Sequence, residues 1–196
     1  MKPSKTEDKR QKIIQAAIKV FAKNGFYNSK ISEIAKEAEV ADGTIYLYFK
    51  NKDDILLSLF EEEMGKIIET IKEEIAKGQS AQEKIRNFAR FHLNLVETQP
   101  ELATVIQVEL RQSNKFMREY PGTKFKEYLD VIASIIEEGQ KAGELRSDIH
   151  PGIAKRVFFG ALDEIATDWV LAKNKKYRLS QSAEQISEIF IRGIAR

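Results

Sequence analysis

The chain has 196 residues, 42% hydrophobic and 32% charged, a globular balance that excludes a disordered chain. It holds no cysteine, which excludes disulfide frameworks and thiolate metal sites, and its two histidines, His92 and His150, lie far apart and outside any zinc-binding spacing. The net charge of +2 is unevenly spread: residues 1–52 carry eleven Lys or Arg against six Asp or Glu, a net of +5, which leaves −3 for the rest. A basic front on an acidic body suits a polyanionic partner for the front alone.

The first ten residues are charged and lack an apolar stretch, so no signal peptide is expected, and no apolar run approaches the ~18 residues of a membrane span. A cytoplasmic protein is the expectation. Apolar residues three and four apart (Ile13, Ile14, Ala17, Val20, Phe21) predict a helix over about 8–24, closed at Asn24-Gly25, where glycine can take the left-handed cap. Ile31, Ile34, Ala35 and Ala38 predict a short second helix with Ser29 as its N-cap. A third begins near Asp42 or Gly43 and holds Ile45, Leu47 and Phe49. A long helix follows from Lys52 to about Lys77 and stops at Gly78-Gln79-Ser80. Further helices are predicted over 81–97, 101–113, 116–142, 151–173 and 180–195, with breaks at Gln99-Pro100, Pro121-Gly122, Gly143, His150-Pro151-Gly152 and Asn174-Lys175-Lys176. Pro121 leaves 116–142 open as one helix or as a short piece before a longer one. With no sustained alternation, the expected fold is all-α with about nine helices.

Two short helices joined by a tight turn, Ile31–Ala38 and Gly43–Phe49, have the spacing of a helix-turn-helix. In the second, Ile45 and Phe49 are four apart and can face inward, leaving Thr44, Tyr46, Tyr48 and Lys52 for other faces. Hydroxyls and ammonium groups near a helix start suit phosphate oxygens, and Gly43 removes a side chain where a backbone would approach closely. Packing of a small domain by Tyr46 and Tyr48 is the competing role.

The run from Gly25 to Lys52, including Gly43-Thr44-Ile45-Tyr46-Leu47-Tyr48-Phe49, closely resembles the DNA-binding signature of the TetR family. The resemblance covers about a quarter of the chain. It implies a DNA-binding domain at 1–52, a ligand-binding and dimerisation domain at 53–196, and a homodimeric repressor on palindromic double-stranded operator DNA. Carried over by position, it places Ser29, Thr44, Tyr46, Tyr48 and Lys52 on the phosphate backbone and Asp42 and Gly43 at the mouth of the major groove. Two residues depart from the pattern. Glu39 stands at a turn position usually held by glycine, where a positive φ costs about 1 kcal/mol. Lys30 replaces a common threonine, exchanging a hydroxyl contact for a charge that still favours phosphate. No arginine on this helix can grip a guanine, so base readout must use lesser contacts or DNA shape.

Beyond residue 53, apolar stripes recur: Ile85, Phe88, Phe91, His92 and Leu95; Leu102, Val105, Ile106 and Leu110; Phe125, Tyr128, Leu129, Ile132, Ile135 and Ile136. Bundle core is the plain reading of each; together they also suit a ligand site between facing helices. Val157, Phe158, Ala161, Leu162, Ile165, Ala166 and Trp169, with Ile186, Ile189, Phe190 and Ile194, give the last two helices wide apolar faces that suit an isologous dimer. The expected interface is Phe158, Leu162, Ile165, Trp169, Ile186, Ile189 and Phe190.

The stretches Val40–Lys52, Asp54-Ile55-Leu56 with Ser58-Leu59-Phe60, Val108-Glu109-Leu110-Arg111-Gln112-Ser113-Asn114, Phe159-Gly160 and Asp163-Glu164 resemble the FadR-type repressors of Gram-positive bacteria. That resemblance implies release by long-chain acyl-CoA and control of fatty-acid degradation genes. An acyl chain needs an apolar tunnel, for which Phe88, Phe91, Leu95, Leu129, Ile132 and Phe158 are candidates. Its phosphates need a cation: Arg111 is the first candidate, with Arg86 and Arg90 behind it, and Gln107 joins the expected ligand-binding residues. An ion pair to Glu109 or Glu101 is the competing role for Arg111. The alternative function is a sensor of another lipophilic or multidrug ligand, with Asp163 and Glu164 as possible carboxylates for a cationic drug. No nucleophile elbow, phosphate loop or metal cluster points to an enzyme, and no cofactor or membrane partner is expected. A purely structural adaptor fits the Gly43–Lys52 chemistry poorly.

Overall fold

A computed structural model describes residues 5–113, 116, 120 and 122–196, with the side chains of 5–7 and 112 left aside. Among these residues there are nine α-helices and no strand. They are α1 (Lys5–Asn24), α2 (Ile31–Glu37), α3 (Asp42–Ile45), α4 (Lys52–Ala76), α5 (Ala81–Thr98), α6 (Pro100–Thr104), α7 (Thr123–Lys141), α8 (Pro151–Leu171) and α9 (Leu179–Ile194). The chain forms two compact units: the described residues of 1–63 with those of 101–121, and 64–100 with those of 122–196. Residues 101–113 thus pack with the N-terminal helices, and α4 contributes to both units.

In the first unit, the predicted stripe of α1 is buried, with Ile13, Ile14, Ala17 and Phe21 at zero exposure. The same unit buries Ile34 and Ala35 of α2, Ile45 and Phe49 around α3, and Ile55, Leu56 and Leu59 of α4, each 2% exposed or less. Gly25 takes φ +79° and closes α1 by donating to Phe21 O at 2.9 Å, as its missing Cβ allows. Glu39 takes φ +56°, the positive value expected there.

The N-cap of α2 is Lys30, not Ser29 as expected. Glu33 bonds back to the Lys30 N–H at 2.8 Å, while the Ser29 hydroxyl donates to Gly25 O at 2.7 Å. A short hydroxyl has a nearer carbonyl in the preceding turn, so it serves the loop rather than the helix.

The helix expected over 101–113 is α-helical only as α6. It runs on into a π-turn (Val105–Glu109) and a 3-10 turn (Leu110–Gln112). Of the span 116–142, the regular helix starts at Thr123 after Gly122 at φ +68°. Asn114 and Pro121 lie outside the described residues.

In the second unit, α5 opens with a Ser80 cap that accepts from the Glu83 N–H at 3.2 Å. Its buried stripe of Ile85, Phe88, Ala89 and Leu93 packs against α7, α8 and α9. Gly139 lets α7 come so close to Ala81 and Leu145 that a Cβ would lie 2.5 Å from the Ala81 methyl. The chain end is clasped by Arg146 N–H donating to Ile194 O and Arg196 N–H donating to Glu144 O. No helix among the described residues is long and apolar enough to cross a membrane.

Candidate nucleic-acid interface and effector bundle

The turn from α2 to α3 aims one face of Asp42–Phe49 outward. Ile45 and Phe49 are buried, with the Arg10 guanidinium 5.2 Å over the Phe49 ring. The helical path past α3 is kept by bonds from Tyr48 N–H and Phe49 N–H to Ile45 O, each 3.0 Å. Asp42, Gly43, Tyr46 and Leu47 are exposed, and Thr44 and Tyr48 are half-buried. Lys30 is exposed as well; Ser29 is buried, with its hydroxyl committed to the loop.

Leu47 is 80% exposed at the centre of this face. It shares the helix with the apolar Ile45 and Phe49, and its exposure sets it apart from them. An apolar tip presented among hydroxyls suits the methyl group of thymine. Tyr27, 59% exposed on the α1–α2 loop, is a second feature that periodicity did not single out, because loop residues carry no period.

Lys52 opens α4. Its ammonium donates to Tyr27 O at 3.0 Å and Ser29 O at 2.9 Å and sits 4.7 Å over the Phe26 ring. Partial burial lowers its pKa, opposed by the neighbouring Asp53 carboxylate. The residue therefore braces the α1–α2 loop. On the other side of that loop, the Phe26 N–H donates to Glu109 Oε2 at 2.6 Å in a buried bond. Glu109 ends the π-turn and is itself 7% exposed, so the mid-chain stretch is bonded into the N-terminal unit.

The expected effector residues divide between the units. Gln107, buried, and Arg111, exposed, belong to the first. Phe88, Phe91, Leu95, Leu129, Ile132 and Phe158 belong to the second. There, Phe88, Ile132 and Phe158 are sealed core, as the plain reading had them, and Leu129 nearly so. Leu95 and Phe91 are half-buried, and Phe91 borders a polar groove of about 770 Å³ with Glu74, Lys77, Asn87 and Glu184. Arg90 beside it grips both carboxylate oxygens of Glu184, at 2.5 and 3.1 Å, and Arg86 pairs with Glu188 at 3.4 Å. Both reserve cations are thus engaged in ion pairs.

The expected dimer face also divides. Phe158, Leu162 and Phe190 are buried within the protomer, with Phe158 stacked on Phe190 at a centroid distance of 4.6 Å. In the protomer they leave little surface for a partner. Ile165, Trp169 and Ile186 are half-buried and Ile189 is 74% exposed. The outward apolar surface instead adds Ile153, Val157 and Leu171, and α8 and α9 enclose a groove of about 340 Å³ floored by Phe158 and Phe190. Each terminal helix has one apolar stripe turned inward and another outward, a distinction that spacing alone does not encode.

Comparison with known proteins divides the chain at residue 59. Residues 13–59 match the N-terminal model of the bacterial regulatory proteins of the tetR family, and residues 60–193 match the YsiA-like protein C-terminal region. The chain is 42% identical over 186 residues, 95% of each chain, to the fatty acid metabolism regulator protein of Bacillus subtilis. A crystal structure of FadR from that organism in complex with stearoyl-CoA superposes with a TM-score of 0.87 at 42% identity, covering 93% of this chain and 98% of that one. The fatty acid degradation regulator FadR from Bacillus halodurans superposes with a TM-score of 0.89 at 36% identity over 98% of each chain. These relatives are transcriptional regulators rather than enzymes. With both models matched and a relative this similar along its whole length, the chain belongs to the TetR family of bacterial regulatory proteins, in the branch with the YsiA-like C-terminal region.

Proposed function

We propose that this protein is a cytoplasmic transcriptional repressor that binds a palindromic operator as a homodimer and is released by long-chain acyl-CoA, so controlling genes of fatty-acid degradation. One observation carries the reading: the 42% identity extends over 95% of the chain, through the effector bundle, to a regulator whose solved relative holds stearoyl-CoA. In this reading the operator is met by Lys30, Asp42, Gly43, Thr44, Tyr46, Tyr48 and Lys52, with Leu47 against a thymine methyl and Ser29 shaping the loop behind them. Residues 1–52 serve the operator and 53–196 the effector and the partner subunit. Arg111 is the candidate for the CoA phosphates. The partner subunit covers Ile153, Val157 and Ile189. Because α4 follows directly on the recognition helix and contributes to both units, an effector that reorients it changes the separation of the two recognition helices.

Fluorescence anisotropy on a duplex selected from random DNA tests the proposal. The selected site should hold two half-sites about one helical turn, roughly 34–36 Å, apart. Stearoyl-CoA should release the protein, and coenzyme A alone should not. Binding that stearoyl-CoA leaves unchanged would refute the effector assignment.

A further inference from the structure

One side chain inside the second unit is buried with half of its hydrogen-bonding capacity unused. His92 of α5 is 7% exposed, its Nδ1 lies 2.8 Å from the Tyr128 hydroxyl of α7, and its Nε2 has no hydrogen-bond partner among the described residues. The ring of Phe88 lies parallel to it at 6.4 Å, and the edge of Phe159 meets it at 5.9 Å. A polar atom sealed among aromatic rings loses its water without compensation, an arrangement native interiors avoid unless something else supplies the partner.

The proton arrangement follows from counting unpaired groups. If Tyr128 donates its O–H to Nδ1, the imidazole proton sits on Nε2 and one buried donor lacks an acceptor. If Nδ1–H donates to Tyr128 instead, both Nε2 and the tyrosine O–H are left unpaired. The first arrangement strands fewer groups, so His92 presents an N–H donor at Nε2. Burial holds the imidazole neutral, its pKa lowered to about 4, against the opposing charge of Asp163 on α8. A neutral donor beside a carboxylate favours a neutral acceptor over an anionic one.

We propose that His92 Nε2 donates a hydrogen bond to the thioester carbonyl oxygen of the acyl-CoA effector, with Tyr128 fixing the imidazole tautomer from the other side. This rests on the acyl-CoA reading and adds to it the group that recognises the acyl linkage. The thioester carbonyl is the polar atom at the head of the apolar chain, neutral and an acceptor. It is therefore the part of such a ligand that enters a desolvated aromatic site most readily, while amides and phosphates lie further out along the molecule. His92 acts here as a binding residue and Tyr128 as a positioning residue.

Calorimetric titration with stearoyl-CoA and with S-octadecyl-CoA, a thioether that lacks only the carbonyl oxygen, isolates this bond. The wild type should bind the thioester about tenfold more tightly than the thioether. His92→Phe should bind the two alike, and Tyr128→Phe should keep part of the preference. In the wild type, nitrogen-15 NMR should show the His92 Nε2–H signal shifting on addition of stearoyl-CoA and staying in place with the thioether, a readout independent of any variant's folding. Equal affinity of the wild type for both ligands, a preference kept by His92→Phe, or an Nε2–H signal that ignores stearoyl-CoA would each overturn the proposal. Failure of the wild type to bind either ligand would overturn the acyl-CoA reading beneath it.

Discussion

Lys52 meets the carbonyl oxygens of Tyr27 and Ser29 and the face of Phe26 with a single ammonium group, so its removal acts twice. Lys52→Ala should weaken operator binding on all sequences alike and flatten the log–log salt slope by about 0.9. It should also lower folding stability by about 1 kcal/mol, a modest figure because the group is only partly buried. Tyr46, 59% exposed, offers the contrast. Tyr46→Ala should weaken operator binding with urea denaturation unchanged. Anisotropy across a salt series, paired with urea midpoints, separates the two residues. His92 gives a pH signature. Its folded pKa of about 4 lies below the ordinary 6.5, so the unfolded chain takes up the proton first. Stability should be full above about pH 6.5, fall as pH drops towards 4, and be lower by up to about 3 kcal/mol below that. Urea midpoints measured between pH 7 and 4 should show this loss in the wild type and a shallower one in His92→Phe.

Among the elements, the π-turn at Val105–Glu109 ends on the carboxylate that accepts from the Phe26 N–H. Glu109→Ala strands that buried donor and should cost about 1–3 kcal/mol, whereas Glu109→Gln keeps an acceptor and should recover most of it. Thermal or urea unfolding of the two variants measures the difference. Much of the element order was legible beforehand because glycine and proline punctuate it: Gly25, Gly78, Pro100, Gly143 and Pro151 each stand at or beside a helix end. The positive φ at Glu39 was legible too, since the resemblance marks a glycine position there. The register change within 105–112 was not. An apolar stripe reports which face is buried, and a π-turn moves hydrogen bonds while leaving that stripe nearly intact. The need for Gly139 was equally hidden, because it arises from the approach of Ala81 and Leu145, which are distant in sequence or across a turn. Ser29 misled for a related reason: its type suits a cap, but the nearer Gly25 carbonyl claims it.

At the scale of the molecule, the outward apolar surface of α8 and α9 belongs to the partner subunit in the proposed dimer. Ile189→Glu or Val157→Glu should give monomers in sedimentation with helix content retained, since both side chains are exposed in the protomer. Phe158→Ala should instead destabilise the protomer by about 3–5 kcal/mol, as its ring is sealed against Phe190 and Phe88. In the proposed dimer only the outward stripe answers to the partner, and helical spacing proposes the two faces without assigning them. The central claim is that effector and operator compete through one equilibrium. A coupling of about 1–3 kcal/mol changes operator affinity about 5- to 150-fold and, by reciprocity, changes effector affinity by the same factor. Calorimetric titration of stearoyl-CoA into the free dimer and into the operator-bound dimer measures it most directly. The account predicts weaker stearoyl-CoA binding to the operator complex by the factor with which stearoyl-CoA weakens operator binding; equal affinity in the two titrations would contradict it.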